Sequence, residues 1–236
     1  MEAAIRDEGI CRFCLKTFSG RSMARHLASC KVKKQKNAEE ITDKTKADVI
    51  YLIRLFSYKP YWLHIEIKST ATLHDLDKFL RAIWLECCGH LSAFTIGGIR
   101  YEASSPGYDY WGGKPQSVNV RLKKLLGVKD KFQYEYDFGS TTHVEGQVYA
   151  ERFGILKDKI RILARNIPPV FLCVDCEAEA TDICMECEEF YCEKCLAKHE
   201  CEEEMALPVV NSPRMGVCGY AGTDDFDRFV PGKPHP

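Results

Sequence analysis

The chain has 236 residues, of which 45% are hydrophobic and 28% are charged, and its formal net charge is -1. This composition is typical of a soluble globular protein and excludes a fibrous or largely disordered chain. The start of the sequence lacks a basic segment followed by an apolar run, and no apolar run is long enough to cross a bilayer. We therefore expect a cytoplasmic protein with one core and small additional modules.

Cysteines and charges are unevenly distributed along the chain. Ten of the thirteen cysteines stand in Cys-x2-Cys-type clusters beside histidines, and Cys87, Cys88 and Cys218 are left over. The clustered pattern indicates zinc in a reducing compartment rather than disulfides. Residues 11–36 hold eight Lys or Arg and no acid, whereas residues 173–205 are crowded with Asp and Glu. We expect these two segments to prefer opposite partners.

A small zinc finger is predicted near the start of the chain, within residues 1–36. Its ligands are Cys11, Cys14, His26 and Cys30. The spacing Cys-x2-Cys-x11-His-x3-Cys resembles the two-Cys, two-His finger with its last ligand changed to Cys. A helix over the second half places the last two ligands one turn apart. A module this short depends on metal binding to fold. The polar residues 31–46 are predicted to form a linker or an exposed helix, and residues 37–46 are assigned to the linker.

Two roles fit this finger. Basic side chains on the predicted helix and directly after it favour contact with DNA or RNA. The candidates are Arg21, Arg25, Lys31, Lys33, Lys34 and Lys36. The alternative is a finger that only supports the neighbouring domain or contacts a protein, because a lone finger offers little surface for tight DNA binding.

Residues 47–168 predict a mixed α+β core domain. Apolar residues alternate with polar ones in YWLHIEIKS and FQYEYDF, which indicates strands. Thr72 and Asp75 form a predicted cap for a helix whose apolar positions continue to Cys87. Gly97 and Gly98 predict a hairpin turn. Further strands are predicted in ADVIYLIRLFS, THVEGQVYAERF and IRILARNI.

Four segments follow one another in this core: PYWLHIEI, TLHDLDKFLRAIW, GHLSAFTIGGIRY and YEYDFGSTTHVE. In this order they resemble the Ri-plasmid open-reading-frame-3-like family, whose members also occur as passenger genes of insertion elements. The resemblance covers about residues 49–153. It implies a compact α+β domain and a link to mobile elements, but no assigned activity. The chain departs from the family at Ser140 and Thr142, where Asp and Trp are usual, and at Asp77, where His is usual.

The core also contains candidates for a polar site. The residues are His90, His143 and Asp137, with Glu145 and Asp77 as further carboxylates. In an enzyme, one histidine would act as general base and a carboxylate would orient it. A structural role is the alternative, because no nucleophile motif or phosphate-binding glycine loop accompanies these residues.

The core also contains a group of aromatic residues and a pair of adjacent cysteines. The aromatic residues Tyr101, Tyr108, Tyr110 and Trp111 predict either a stacking platform for single-stranded nucleic acid or a protein interface. The pair Cys87 and Cys88 is interpreted as a buried, unreactive helix end.

Residues 169–205 predict a module with two zinc ions. Its eight candidate ligands are Cys173, Cys176, Cys184, Cys187, Cys192, Cys195, His199 and Cys201. Their spacing resembles that of the B-box, and this resemblance implies cross-bracing, in which the first and third pairs share one ion. Sequential pairing remains an alternative. Sites with four protein ligands are structural, and with the finger they give about three Zn²⁺ per chain. Residues 206–236 form a Pro/Gly-rich tail, expected to pack back on the core and to be loose at its end.

Together these patterns favour a non-enzymatic zinc-binding protein. It would contact nucleic acid through the basic finger and protein through the acidic zinc module. The alternatives are an enzyme with a site around His90 and His143, and a scaffold that only binds proteins.

Overall fold

The structure is a computed structural model that describes residues 6–41, 44–102, 115–202 and 205–231. It contains a ten-stranded sheet in the order β2-β1-β10-β4-β3-β9-β8-β5-β6-β7. The strands of this sheet are β1 (Glu8–Cys11), β2 (Thr17–Ser19), β3 (Asp48–Phe56), β4 (Trp62–Lys68), β5 (Ser92–Ile96), β6 (Ile99–Glu102), β7 (Gln116–Ser117), β8 (Lys131–Tyr136), β9 (Thr142–Gly154) and β10 (Ile160–Asn166). Neighbouring strands are antiparallel except for β6 and β7.

Helices and a second, smaller sheet complete the fold. The helices are α1 (Gly20–Ser29), α2 (Lys31–Glu39), α3 (Leu73–Leu80) and α4 (Glu193–Leu196), with a π-helical turn at Arg81–Leu85 and 3-10 turns at Lys44–Lys46, Leu122–Lys124 and Asp225–Phe229. The second sheet has the order β12-β11-β13 and consists of β11 (Asp182–Cys184), β12 (Glu189–Tyr191) and β13 (Ala206–Pro208). The predicted α+β class of the core agrees with this mixture. Among the described helices, none has the length and apolar character needed to cross a bilayer.

Strands β3 and β4 lie in two of the predicted strand segments and pair as an antiparallel hairpin. An alternating strand often leaves its polar side in water, but His64 and Glu66 on β4 are fully buried. The side of the sheet that carries Glu66 is covered by α2, whose Lys33 reaches this carboxylate. Burial and the charge of Arg54 lower the pKa of His64 to about 3, so this imidazole is neutral at physiological pH.

Helix α3 begins with the predicted capping box. Thr72 Oγ1 accepts a hydrogen bond from the Asp75 backbone N–H at 3.2 Å, and Asp75 Oδ2 accepts one from the Thr72 backbone N–H at 2.9 Å. The helical path then changes to the π-helical turn and ends at Leu85. The prediction of a buried helix end at Cys87 and Cys88 was wrong, because both lie after the helix and Cys88 is exposed.

The hairpin of β5 and β6 turns at Gly97 and Gly98, which have φ angles of +56° and +79°, as predicted. Tyr101 on β6 is buried in the main hydrophobic core. It therefore cannot belong to an exposed stacking platform, and that part of the prediction was wrong. The other three residues of the predicted platform, Tyr108, Tyr110 and Trp111, lie outside the described residues.

The finger is continuous with the core sheet. Strand β1 pairs with β10, and β2 pairs with β1. Met23 and Leu27 of α1 share a buried hydrophobic cluster with core residues of three strands, including Trp62 and Leu163. The Trp62 indole Nε1–H donates to Asp7 at 3.1 Å. The predicted boundary at residue 36 stays a prediction, but the finger and the core clearly pack as one structure.

The segment after the C-terminal cysteine-rich module also contacts the core. Its first residues form β13 and pair with β11 of the module. Further on, Ser212 Oγ donates to the Trp84 carbonyl at 2.5 Å, and the Tyr58 hydroxyl donates to the Pro213 carbonyl at 3.2 Å. These bonds hold residues 212–214 beside the end of the α3 helical path. The final residues, 232–236, lie outside the described part of the chain.

Candidate metal centres

All thirteen cysteines are free thiols, and together with three histidines they fall into four clusters. Within each cluster the four candidate ligand atoms lie within 4.8 Å of one another. The clusters are Cys11/Cys14/His26/Cys30, Cys173/Cys176/Cys192/Cys195, Cys184/Cys187/His199/Cys201 and Cys87/Cys88/His90/Cys218. The first three consist of the twelve predicted ligands. The fourth was not predicted.

The finger cluster joins β1 to α1. Cys11 and Cys30 are buried, and Cys14 lies in the turn after β1. Cys14 Sγ is 3.3 Å from His26 Nε2. The His26 ring is held in place by stacking on Phe18, with ring centroids 3.8 Å apart. A tetrahedral zinc ion bound at ordinary Zn–S and Zn–N lengths separates its ligand atoms by about 3.5–3.8 Å. The residues present therefore fit Zn²⁺.

The two clusters of the C-terminal module have the cross-braced grouping. Cys176 Sγ lies 3.6 Å from Cys192 Sγ, which brings the first and third pairs together. Cys187 Sγ lies 3.5 Å from His199 Nε2, which joins the second pair to the last ligands. Sequential pairing would require Cys173 and Cys176 to share an ion with Cys184 and Cys187, and the structure groups them separately.

The first thiols of these two clusters are prepared for ionisation. Burial opposes the charged form of Cys173, but backbone N–H groups of Cys192, Asp175 and Cys176 outweigh it and lower the pKa of this thiol to about 6. Burial likewise opposes ionisation of Cys184, and backbone N–H groups of Cys187 and Glu186 help to lower its pKa to about 6. In the same clusters, hydrogen bonds to Cys176 and Cys173 raise the pKa of Cys195 to about 12, and burial raises the pKa of Cys201 to about 12. The thiolate, which is the metal-binding form, is therefore favoured at Cys173 and Cys184.

The basic candidates of the finger do not all share one surface. Arg21, Arg25, Lys31 and Lys34 are exposed on α1 and α2, and Lys36 is half-buried. Lys33 is different, because it is 5% exposed and its Nζ lies 3.1 Å from Glu66 Oε1. Its inclusion among the nucleic-acid candidates was therefore wrong, since this ammonium group already neutralises a buried carboxylate.

His90 and His143 do not form one site. His90 Nδ1 lies 3.6 Å from Asp137 Oδ1. The side chain of His143 is 68% exposed on β9, and its Nδ1 lies 3.8 Å from Glu135 on the paired strand β8. The proposed pairing of the two histidines in one polar site was therefore wrong, and only His90 stays beside Asp137.

Asp77, the further carboxylate of that predicted site, has a structural role. It is 3% exposed and accepts hydrogen bonds from Ser92 Oγ at 2.6 Å, Tyr134 OH at 2.8 Å and Arg81 Nε at 2.9 Å. Three donors and its burial hold this carboxylate inside the core. Burial and the adjacent carboxylate raise the pKa of Tyr134 well above its ordinary value, so the phenol stays a donor.

Two residues of the C-terminal segment were missed by sequence reasoning. Cys218 reaches the loop after the α3 path, and Arg214 is fully buried with its Nη2 2.6 Å from Asp137 Oδ2. Burial alone would lower the pKa of this guanidinium, but hydrogen bonds to Asp137 and Cys87 raise it. The available signals were a cysteine flanked by glycines in MGVCGYAG and the dense CCGH motif of the core.

Comparison with known proteins supports the resemblance of the core. Residues 52–150 match the model of the family described as plasmid pRiA4b ORF-3-like protein. The match includes Cys87, Cys88 and His90 but neither the finger nor the C-terminal module. The chain is also similar to the crystal structure of a protein of unknown function from Methanosarcina mazei Go1, with 21% identity over 52% of this chain and 72% of that chain and a TM-score of 0.45. No curated protein matches the sequence significantly.

Proposed function

We propose that the chain is a cytoplasmic, non-enzymatic zinc-binding protein that contacts nucleic acid through its finger and protein through its acidic module. Because the matched family takes its name from a plasmid, we include a link to mobile genetic elements in this proposal. The observation that carries the nucleic-acid contact is the exposure of four cations on α1 and α2, namely Arg21, Arg25, Lys31 and Lys34.

Zinc is the metal that this donor set favours. Cysteine thiolates and imidazoles in groups of four are typical of structural Zn²⁺, whereas Mg²⁺ and Ca²⁺ require oxygen ligands. In the finger and in both clusters of the C-terminal module, four protein ligands fill a tetrahedral shell and leave no position for water. Three ions in these clusters therefore stabilise structure and do not activate a substrate.

The exposed cations of the finger are suited to binding phosphates. Arg21 and Arg25 are one helical turn apart on α1, and Lys31 and Lys34 continue on α2. No Asp or Glu occurs between Gly9 and Ala38, so no carboxylate of this segment neutralises them. Contacts of this kind release counterions from a nucleic acid, which gives binding a steep dependence on salt.

The surface of the C-terminal module carries the opposite charge. Among its described residues, the exposed carboxylates belong to Asp175, Glu177, Glu179, Glu186, Glu188, Glu189, Glu193, Glu200 and Glu202. Repulsion from phosphates disfavours nucleic acid here, and a protein with a basic surface is the complementary partner.

Charge reversal tests the nucleic-acid contact. We expect the R21E/R25E/K34E variant to lose about tenfold or more in affinity for DNA or RNA oligonucleotides and to show a shallower salt dependence. Fluorescence anisotropy with single- and double-stranded probes over a range of salt concentrations measures both. The matched control is K59E/K123E/K124E, which makes the same charge change at exposed lysines outside the finger. Equal binding by the two variants would show that the finger does not contact nucleic acid.

A further inference from the structure

We propose that Cys87, Cys88, His90 and Cys218 bind a fourth Zn²⁺ ion. Their ligand atoms lie within 4.8 Å of one another. The first three residues stand on the loop between the π-helical turn and β5, and the fourth comes from the C-terminal segment, 128 positions after His90. His90 Nε2 and Cys218 Sγ are 3.1 Å apart, so the two residues are in direct contact although they are distant along the chain.

The donor chemistry specifies the metal. Three thiols and one imidazole are the same donor set as in the finger cluster, and Zn²⁺ is the divalent ion that most often occupies it. With these four residues included, every cysteine of the chain belongs to a cluster of four ligands. In an intracellular protein this distribution favours metal binding over scattered unreactive thiols.

The backbone is shaped to present these ligands. Gly89, between Cys88 and His90, has a φ angle of +72°, which lets the short loop turn its ligands toward one point. Cys218 itself has a φ angle of +51° and is flanked by Gly216 and Gly219, which also have positive φ. A left-handed conformation is strained for a non-glycine residue and is often retained at functional sites. At this position it directs the thiol to the other three ligands.

A supporting shell orients the histidine. His90 Nε2 faces Cys218, while Nδ1 faces Asp137 Oδ1 at 3.6 Å. Histidine ligands of metals commonly direct their second ring nitrogen to a carboxylate in this way. Asp137 is in turn held by the buried guanidinium of Arg214 at 2.6 Å and by the Gly139 N–H at 3.0 Å. The carboxylate and the arginine thus fix the imidazole with Nε2 available to the ion.

The ion would join the C-terminal segment to the core domain. Arg214 already anchors this segment through Asp137, and Ser212 anchors it through Trp84. A zinc ion bound by Cys218 would attach the C-terminal segment to the core at a third point. Since four protein ligands complete the shell, the site is a structural clasp rather than a catalytic centre.

Zinc counting by native mass spectrometry of the full chain tests this proposal. We expect four ions in the wild-type protein and three in the C88S/C218S variant. The control is His143→Ala, which removes an exposed histidine outside every cluster and should retain four ions. A wild-type protein with only three ions would overturn the proposal.

A second measurement needs no variant and covers the case in which C88S/C218S does not fold. Cys88 and Cys218 are exposed, so without a metal they should react rapidly with iodoacetamide in the native chain. We expect Cys87, Cys88 and Cys218 to be protected until a chelator is added, as read by peptide mapping. Rapid alkylation before chelation, or a disulfide between Cys88 and Cys218, would contradict the fourth site. Neither result bears on nucleic-acid binding by the finger.

Discussion

Lys33 Nζ lies 3.1 Å from Glu66 Oε1, and the two side chains are 6% and 0% exposed. The contact joins α2, from a stretch whose composition indicates a linker or exposed helix, to the centre of the core sheet. Arg152 Nε and Arg161 Nε also donate hydrogen bonds to the Glu66 carboxylate, at 2.7 Å and 3.1 Å. One buried anion thus connects α2, β4, β9 and β10.

Replacement of Glu66 by Gln should strongly destabilise the fold. Removing the anion leaves Lys33, Arg152 and Arg161 without their common partner, and breaking a buried ion pair in this way costs about 3–5 kcal/mol. Urea unfolding followed by circular dichroism measures the free energy of unfolding. The matched control is Glu145→Gln on β9, where the side chain is exposed and a change within about 0.5 kcal/mol is expected. Equal losses in the two variants would refute a central role for Glu66.

The same carboxylate predicts a pH dependence of stability. Burial alone would raise the pKa of Glu66, but a hydrogen bond from Arg152 and the charges of Arg161 and Lys33 lower it from 4.5 to about 2. A depressed folded-state pKa stabilises the protein above the unfolded-state pKa, and this stabilisation is lost as the pH falls toward 2. Its size is roughly 3 kcal/mol.

The measurement compares wild type with Glu66→Gln as the pH is lowered from about 6 to about 2. We expect the difference in unfolding free energy between them to shrink below about pH 4.5. Acid also releases zinc by protonating its ligands, but this affects both proteins and cancels in the difference. A difference that stays constant over this range would contradict the prediction.

Pairing in the C-terminal module can be decided with two double variants. In the cross-braced grouping, C176S/C195S removes two ligands from one site and none from the other, so we expect the loss of one zinc ion. C176S/C187S is the reciprocal variant, because it removes one ligand from each site and should weaken both. Zinc counts by native mass spectrometry at increasing chelator concentration distinguish these cases. Sequential pairing predicts the opposite result for each variant.

Much of the fold follows from local patterns in the sequence. The capping box at Thr72, the glycine turn at Gly97 and the short Cys-x2-Cys spacings each act within a few residues, so the sequence displays them directly. The twelve predicted ligands were accordingly found in three clusters.

The remaining features depend on partners that are distant along the chain. The fourth cluster needs Cys218 to meet a loop more than a hundred positions earlier, and no spacing rule covers that separation. The local sequence predicts that Lys33 is a solvated cation, but the tertiary fold places Glu66 beside it. Tyr101 follows two glycines and precedes a polar stretch, which suggests exposure, yet the sheet buries it.

The pairing of β1 with β10 makes the edge of the core sheet depend on the folded finger. Arg12 N–H donates to the Leu163 carbonyl at 2.8 Å, and Ile167 N–H donates to the Glu8 carbonyl at 2.9 Å, so the finger occupies the outer edge of β10. If zinc loss unfolds the finger, this edge is left with unpaired backbone groups beside apolar side chains. Exposed edges of this kind recruit strands from other molecules. Zinc starvation would then lead to self-association of the whole protein rather than to loss of one small module.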